Sequence, residues 1–227
     1  GWAFKNRGHI IGIAVATEGW KGYFPVAHQM GANLDKKVVY RWLQKQLNAD
    51  NSKVFHNAQY DLGWLMNEGF TIKGTLHDTM MAAPLLNENE YSYSLNSLGK
   101  TYLNEQKDES MLTEAANAFN IDSKAEMYKL PPEYVGRYAE QDADLTYRLW
   151  QILKEGINKE DISDIYTLEN SLLPALIAMR KRGVLIDTDR AQRVKKKFLL
   201  EERKLTKEIK RWYGIEPDLW AAQSLSQ

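Results

Sequence analysis

The sequence predicts an α/β fold in which helices cover a mixed β-sheet. Two β-rich apolar runs near the start of the chain are separated by a short turn, which is typical of an antiparallel hairpin. Further along, short apolar runs alternate with segments of helical spacing, as in α/β layers. The 227 residues are 44% hydrophobic, so the chain can bury a core of substantial size.

The elements of the first half follow from apolar periodicity and helix-capping residues. Residues 9–17 and 20–26 form the predicted hairpin, with Glu18-Gly19 as its turn. Asp35 precedes a run of helical spacing and can serve as its N-cap. The elements predicted after the hairpin are a helix over 35–47, a buried strand over 53–56, a helix over 58–68, a short strand over 71–73 and a helix over 78–86.

A long helix dominates the second half. Pro131-Pro132 starts it, because proline is tolerated in the first helical turn, and we expect it to run to Gly156. The residues predicted along one of its sides are Tyr138, Asp142, Leu145, Leu149 and Leu153. The segments predicted to be helical before it are 95–103, 109–119 and 123–129.

The character of the chain changes after Gly156. A polar stretch over 158–163 precedes a helix over 166–182, a turn and short strand over 183–187, and a long helix over 188–213. Residues 190–211 contain ten Lys or Arg against three Glu. We therefore predict two domains, over 1–157 and 158–227, of which the second is α-helical and basic.

The overall composition excludes several classes of protein and site. The formal net charge is zero, so contact with nucleic acid is expected to be local. The absence of cysteine excludes disulfide frameworks and thiolate metal sites, and the four histidines lack zinc-ligand spacing. No apolar run approaches the ~20 residues that span a bilayer, and no secretory segment opens the chain. We expect a cytoplasmic protein.

Two acidic motifs from distant segments carry the chemistry. Asp61 follows a short strand, and Tyr138 and Asp142 lie four residues apart on the long helix. Carboxylates without a cysteine or histidine cluster are hard oxygen ligands suited to Mg²⁺ or Mn²⁺, which indicates phosphate chemistry. These residues also have structural interpretations: Asp61 and Asp78 can cap helices, and Tyr138 can pack in the core.

The motifs resemble those of the 3′–5′ proofreading exonuclease domain of family A DNA polymerases, the DNA polymerase I type of bacteria and phages. The similar segments are Asn57-x-x-Tyr60-Asp61 with the following Leu-Gly-Trp-Leu, Tyr138-x-x-x-Asp142 with the following Ala-Asp-Leu-Thr, and the stretches 10–16, 23–28, 78–82 and 93–98. The resemblance implies a ribonuclease-H-like three-layer fold with a mixed central sheet, in a bacterial or phage-infected cell.

The resemblance also implies roles for single residues. Asp61 and Asp142 would bind two divalent ions, Mg²⁺ or Mn²⁺, and Tyr138 would orient the attacking water. The substrate-binding residues that it implies are His56, Asn57, Gln59 and Tyr60. The implied reaction is hydrolysis of the 3′-terminal phosphodiester of single-stranded DNA ends, which releases nucleoside monophosphates.

One landmark of the family is absent. Its first motif, Asp-x-Glu on the first strand, should precede Ile10, yet residues 1–9 contain no acidic residue. We therefore expect the chain to be a fragment that carries half of the metal site and has little nuclease activity by itself.

Residues 172–187 resemble the beginning of the polymerase thumb. In a thumb, Lys195, Lys196 and Lys197 would contact the backbone of primer-template DNA, and the rest of a polymerase chain would be a partner. The structural alternative is that these three lysines form an ordinary solvated face of the helix.

Two other functions stay open. One is a ribonuclease-D-like RNA exonuclease, which the thumb-like segment disfavours, and the other is an inactive exonuclease fold kept as a structural module of a polymerase.

Overall fold

The structure, a computed structural model, describes residues 3–5, 8–215 and 218. The chain divides into two compact units, Gly1–Arg182 and Gly183–Gln227. No helix in the described part of the chain is both long enough and apolar enough to cross a membrane.

The predicted hairpin is present at the start of the first unit. Strands β1 (Gly12–Thr17) and β2 (Trp20–Pro25) pair in an antiparallel register, and Gly19 in the turn adopts a φ of 69°. Gly12 is required for close packing, because a Cβ there would lie 2.0 Å from the Tyr23 hydroxyl. That hydroxyl bonds His28 Nε2 at 2.6 Å, so the hairpin is fastened to the loop that follows it.

A parallel strand pair lies further along the chain. Strands β3 (Lys53–Phe55) and β4 (Leu76–Asp78) pair with Phe55 opposite Asp78. The two kinds of pairing expected of a mixed sheet are thus both present, in two separate two-stranded sheets. Because parallel strands end at the same edge, the chain segments that leave β3 and β4 begin side by side.

The strand predicted over 71–73 is wrong. The backbone N–H of Lys73 donates to Leu47 O at 2.9 Å instead of joining a ladder, and Gly74 turns the chain with a φ of 78°. The strand lies five residues later, at β4. Its sequence Leu-His-Asp contains no β-branched residue, so propensity gave no indication of it.

Helices make up most of the remaining structure. They are α1 (Lys36–Asn48), α2 (Ala58–Asn67), α3 (Thr79–Leu86), α4 (Leu95–Leu98) with a π-helical turn at Gly99–Leu103, α5 (Ser110–Ala118), α6 (Pro132–Lys159), α7 (Ser163–Ser171), α8 (Leu173–Arg182) and α9 (Thr188–Tyr213). Asp35 caps α1 as predicted, accepting the N–H of Lys37 at 2.8 Å.

Three predicted elements differ from the structure. Within 123–129 only a short 3₁₀ turn forms, at Met127–Lys129. The single helix predicted over 166–182 is two helices, because Pro174 lacks an N–H and its ring obstructs the preceding turn, so it sits in the first turn of α8. No strand forms over 183–187, where Asp187 instead caps α9 by accepting the N–H of Arg190 at 2.8 Å.

Helix α6 organises the core of the first unit. Leu145, Leu149 and Leu153 are fully buried along one side, as the spacing predicted, and pack with residues of α3 and α4. Burial of each such leucine contributes roughly 2 kcal/mol. The same side of α6, one to two turns earlier, carries Tyr138 and Asp142.

Helices α7 and α8 belong to the first compact unit. Leu173 and Ile177 of α8 are buried against Ala58 and Leu62 of α2. The predicted domain boundary between residues 157 and 158 falls inside this unit, and a functional division at that point stays a prediction.

Candidate functional site

The turn from β3 into α2 forms the first part of the site. Asn57 adopts a left-handed conformation with a φ of 63°, which asparagine tolerates better than most residues. Its side chain is exposed and makes no capping bond with α2. The turn therefore presents a free amide next to the start of the helix that carries Asp61.

Asp78, at the end of β4, holds this turn in place. Its Oδ1 accepts the N–H groups of Asn57 and Met80 at 2.9 Å, and its Oδ2 accepts the N–H of Ala58 at 2.8 Å. The bond to Met80 confirms the predicted cap of α3. The bonds to the first turn of α2 were not predicted, because the sequence did not indicate the strand whose end places Asp78 beside that turn.

Asp61 lies in the first turn of α2, beyond the residues that Asp78 fixes. Burial raises the pKa of Asp61 to about 7, and the charges of Asp78 and Asp142 add to the increase. Asp61 of α2 thus lies close enough to the carboxylates of Asp78 and Asp142 for their charges to act on it. No basic side chain in the described residues bonds to Asp61, so its charge is uncompensated there.

Tyr138 and Asp142 of α6 share one cationic partner, Lys107. Lys107 Nζ donates to Tyr138 Oη at 3.0 Å and to Asp142 Oδ2 at 2.8 Å. Asp142 Oδ1 is also 2.8 Å from Nζ, in an ionic contact without hydrogen-bond geometry. Burial raises the pKa of Asp142 more than Lys107 lowers it. Lys107 was not predicted, because a lysine in a polar loop has no distinguishing sequence pattern.

His56 completes the inner part of the site. Its Nδ1 lies 2.8 Å from Thr79 Oγ1, which itself donates to Phe55 O at 3.2 Å, so Nδ1 carries the proton in this arrangement. His56 Nε2 is buried without a partner. Burial lowers the pKa of His56 to about 4, and the Lys107 charge contributes. At neutral pH the imidazole therefore offers an unpaired acceptor.

The other predicted residues lie at the edge of the site or elsewhere. Gln59 Oε1 accepts a hydrogen bond from Arg180 of α8 at 3.1 Å, and Tyr60 is 58% exposed. Lys195, Lys196 and Lys197 lie on α9 in the second unit, where all three are exposed. The structure therefore brings together His56, Asn57, Asp61, Tyr138 and Asp142.

The carboxylate oxygens of Asp61 and Asp142 are the type of ligand atom that a hard divalent cation prefers. Asp61 is a partly buried carboxylate without a counter-ion, and its pKa is raised further by the Asp142 charge, so a cation would relieve both the burial and the repulsion. The ligand set is incomplete in the described residues, which contain no group of three or more His, Cys, Asp or Glu able to hold a metal. Asp78 already accepts three backbone N–H groups, so most of the acceptor capacity of its carboxylate serves the turn.

Comparison with known proteins identifies the part of the chain that carries this site. The family model for the 3′–5′ exonuclease of DNA polymerase A matches residues 3–158. The DNA-directed DNA polymerase of Pseudomonas phage M6 is 34% identical over 229 residues, which cover 98% of this chain and 34% of the relative. DNA polymerase I of Pseudomonas aeruginosa is 28% identical over 195 residues, which cover 81% of this chain and 21% of the relative.

A solved structure supports the fold. The POL domain of Pol1 from M. smegmatis, in complex with DNA primer-template and dNTP, matches with a TM-score of 0.64 at 17% identity, covering 96% of this chain and 34% of that chain. With the family match, this supports the ribonuclease-H-like α/β fold followed by a helical segment. The chain spans about a third of the length of the phage relatives, at 34% and 33% of two of them.

Proposed function

The chain belongs to the 3′–5′ exonuclease family of DNA polymerase A, and from this premise we propose that it hydrolyses the 3′-terminal phosphodiester of DNA as the proofreading part of a polymerase. The observation that carries the proposal is the convergence of Asp61 with Tyr138 and Asp142 inside the matched range. A phenol beside a pair of carboxylates suits hydrolysis of a phosphodiester, which needs an oriented water and a cation.

Asp61 and Asp142 are the residues that would hold divalent cations, Mg²⁺ or Mn²⁺, in a pair. When bound, such ions supply Lewis acidity toward water and neutralise charge that develops on the phosphate. Oxygen ligands of this kind select Mg²⁺ or Mn²⁺ over softer metals. Residues outside the described site, or water, would provide the remaining ligands.

Tyr138 orients the attacking water in this proposal. Its pKa is raised, first by burial and then by the Asp142 charge, so the phenol keeps its proton at neutral pH. A protonated phenol donates one hydrogen bond and accepts others, and can therefore fix a water in one orientation. The reaction needs no covalent intermediate with the enzyme.

The β3–α2 turn would bind the 3′ end of a single strand. The free amide of Asn57 is available to nucleotide groups, and the exposed ring of Tyr60 can stack on a base. The unpaired Nε2 of His56 is buried and would have to become accessible to take part. Gln59 would have to exchange its bond with Arg180 to take part. The proposed partners are single-stranded DNA ends, primer-template duplex and the rest of a polymerase chain.

A catalytically inactive exonuclease fold is the second candidate. The observation that favours it is the ion pair between Lys107 and Asp142. Of the two proposed metal ligands, only Asp61 then has no cationic partner among the described residues. In this case the domain would serve as a structural module of a polymerase.

Digestion of end-labelled oligonucleotides tests the two candidates. The proposal expects stepwise release of nucleoside monophosphates from the 3′ end of single-stranded DNA, dependent on Mg²⁺ or Mn²⁺ and lost in the Asp142→Asn variant. RNA and DNA substrates are compared in parallel, since faster digestion of RNA would favour the ribonuclease-D-like alternative. Folded protein without digestion of either substrate, in a polymerase containing this chain, would favour the structural module.

A further inference from the structure

The segment that carries Lys107 is anchored to the helices around the site. The backbone N–H of Lys107 donates to Oδ1 of Asn96 in α4 at 2.9 Å. The next N–H, that of Asp108, donates to Gln141 Oε1 at 2.9 Å, and Gln141 precedes Asp142 on α6. These bonds fix the backbone on both sides of the side chain. Lys107 is therefore directed at the carboxylate by the fold.

The ammonium occupies the space that a cation bound to Asp142 would use. Its Nζ is 2.8 Å from both oxygens of Asp142, 3.0 Å from Tyr138 Oη and 4.4 Å from the centre of the Tyr138 ring. The Lys107 side chain is only 12% exposed, so solvent screens this contact weakly. A second cation on the same two oxygens would meet strong repulsion, because like charges a few ångströms apart interact strongly in a poorly hydrated site.

The structure also provides a second position for the ammonium. Glu109 Oε1 is 3.8 Å from Lys107 Nζ. An open cleft of about 460 Å³ borders the lysine there. Its lining residues are Ser94, Leu95, Asn96, Lys107, Glu109 and Lys124. The flexible stem of lysine can rotate into such a space while the backbone stays anchored.

We propose that Lys107 is a resident counter-ion of this site, which neutralises Asp142 in the metal-free protein, competes with a divalent cation for that carboxylate, and swings to Glu109 when the cation binds. The proposal rests on the proposed function, because it concerns the cation that the exonuclease would use. It explains how an acidic site can fold without metal: the fold supplies a positive charge of its own.

The test measures Mn²⁺ affinity of the chain by isothermal titration calorimetry. Lys107→Gln removes the charge but keeps an amide that can donate to Asp142 and Tyr138. We expect it to bind Mn²⁺ about tenfold more tightly than the unaltered chain, because the repulsion is removed. Lys124→Gln is the matched control: Lys124 Nζ is 3.5 Å from Glu109 Oε2 and is 68% exposed. It should leave the affinity within about twofold.

Thermal unfolding gives a second readout. In EDTA the Lys107→Gln variant should melt below the unaltered chain, and saturating Mn²⁺ should raise its melting temperature by more than it raises that of the unaltered chain. If this variant does not fold, Lys107→Met, which keeps the apolar stem, replaces it in both measurements. Adding Asp142→Asn to the variant should cancel the gain in affinity.

Three outcomes separate this proposal from the proposed function. Tighter Mn²⁺ binding by the lysine variant that depends on Asp142 supports the resident counter-ion. Equal or weaker binding overturns it while leaving the metal site in place. Absence of Mn²⁺ binding in both proteins also overturns it, and the digestion assay then decides independently whether the exonuclease function holds.

Discussion

Asp78 Oδ2 accepts the backbone N–H of Ala58 at 2.8 Å, and this bond connects the end of β4 to the start of α2. Together with the bond to the N–H of Asn57, it fixes the turn that orients Asp61. Asp78 is only 3% exposed. A residue that the sequence indicated as a helix cap thus also determines where a proposed metal ligand lies.

Asp78→Asn should destabilise the first unit by about 2–4 kcal/mol, because an amide has one acceptor oxygen and its NH₂ group would face a backbone donor in a buried site. Urea unfolding monitored by circular dichroism measures the loss. Asp122→Asn is the control, since Asp122 accepts two backbone N–H groups, against three at Asp78, but is exposed. A loss at Asp78 no larger than that at Asp122 would contradict the connecting role.

Asp61→Asn should stabilise the metal-free chain at alkaline pH. The folded-state pKa of Asp61 is raised to about 7, above its ordinary value. The folded chain therefore holds a proton that the unfolded chain has lost, and stability falls as the pH rises from the ordinary Asp range through about 7. The variant removes this loss, so in EDTA we expect a gain of about 1–3 kcal/mol above about pH 8 and little gain near about pH 4. Urea unfolding at both pH values measures the gain in the free energy of unfolding. A gain that is independent of pH would contradict the raised pKa of Asp61.

Asp142→Asn should reduce 3′–5′ digestion about a hundredfold or more while keeping the fold, since the amide can still bond Lys107. Asp142→Ala is less suitable, because it would leave a nearly buried ammonium without its partner. Asp144→Asn is the control on the same helix: Asp144 Oδ2 is 3.2 Å from Arg148 Nη2 and 3.4 Å from Lys21 Nζ, in a separate ion-pair network. Initial rates of digestion of labelled single-stranded DNA are compared between the Asp142→Asn and Asp144→Asn variants. Equal losses at positions 142 and 144 would show that general charge, not the site, governs the rate.

The sequence predicted most elements whose signal is local. Asp35 as a cap and the leucine row of α6 follow from short-range chemistry, and both are confirmed. The strand at 76–78 was missed because its three residues gain their conformation by pairing with β3 and not from propensity. The same reason applies to Lys107: its proximity to Asp142 depends on the way a loop crosses α6, which no spacing along the chain records. The roles of the site residues stay predictions.

Helix α9 provides the last prediction, because its geometry decides which basic residues can contact DNA together. Successive residues on a helix are turned by about 100°, so Lys195, Lys196 and Lys197 point in three directions and cannot all face one duplex. Lys196, Arg203 and Lys207, spaced by seven and four residues, share a face.

If α9 binds duplex DNA through this face, changing Lys196, Arg203 and Lys207 to Gln should weaken binding for every sequence. It should also reduce the slope of log affinity against log salt by roughly 0.9 for each lost phosphate contact. The variant with Lys195, Lys196 and Lys197 changed to Gln has the same charge loss but removes one residue of that face, so its slope should fall by about a third as much. Fluorescence anisotropy over a series of salt concentrations measures both. Equal slopes for the two variants would mean that net charge alone attracts the duplex, and unaltered slopes would mean that these residues form a solvated face.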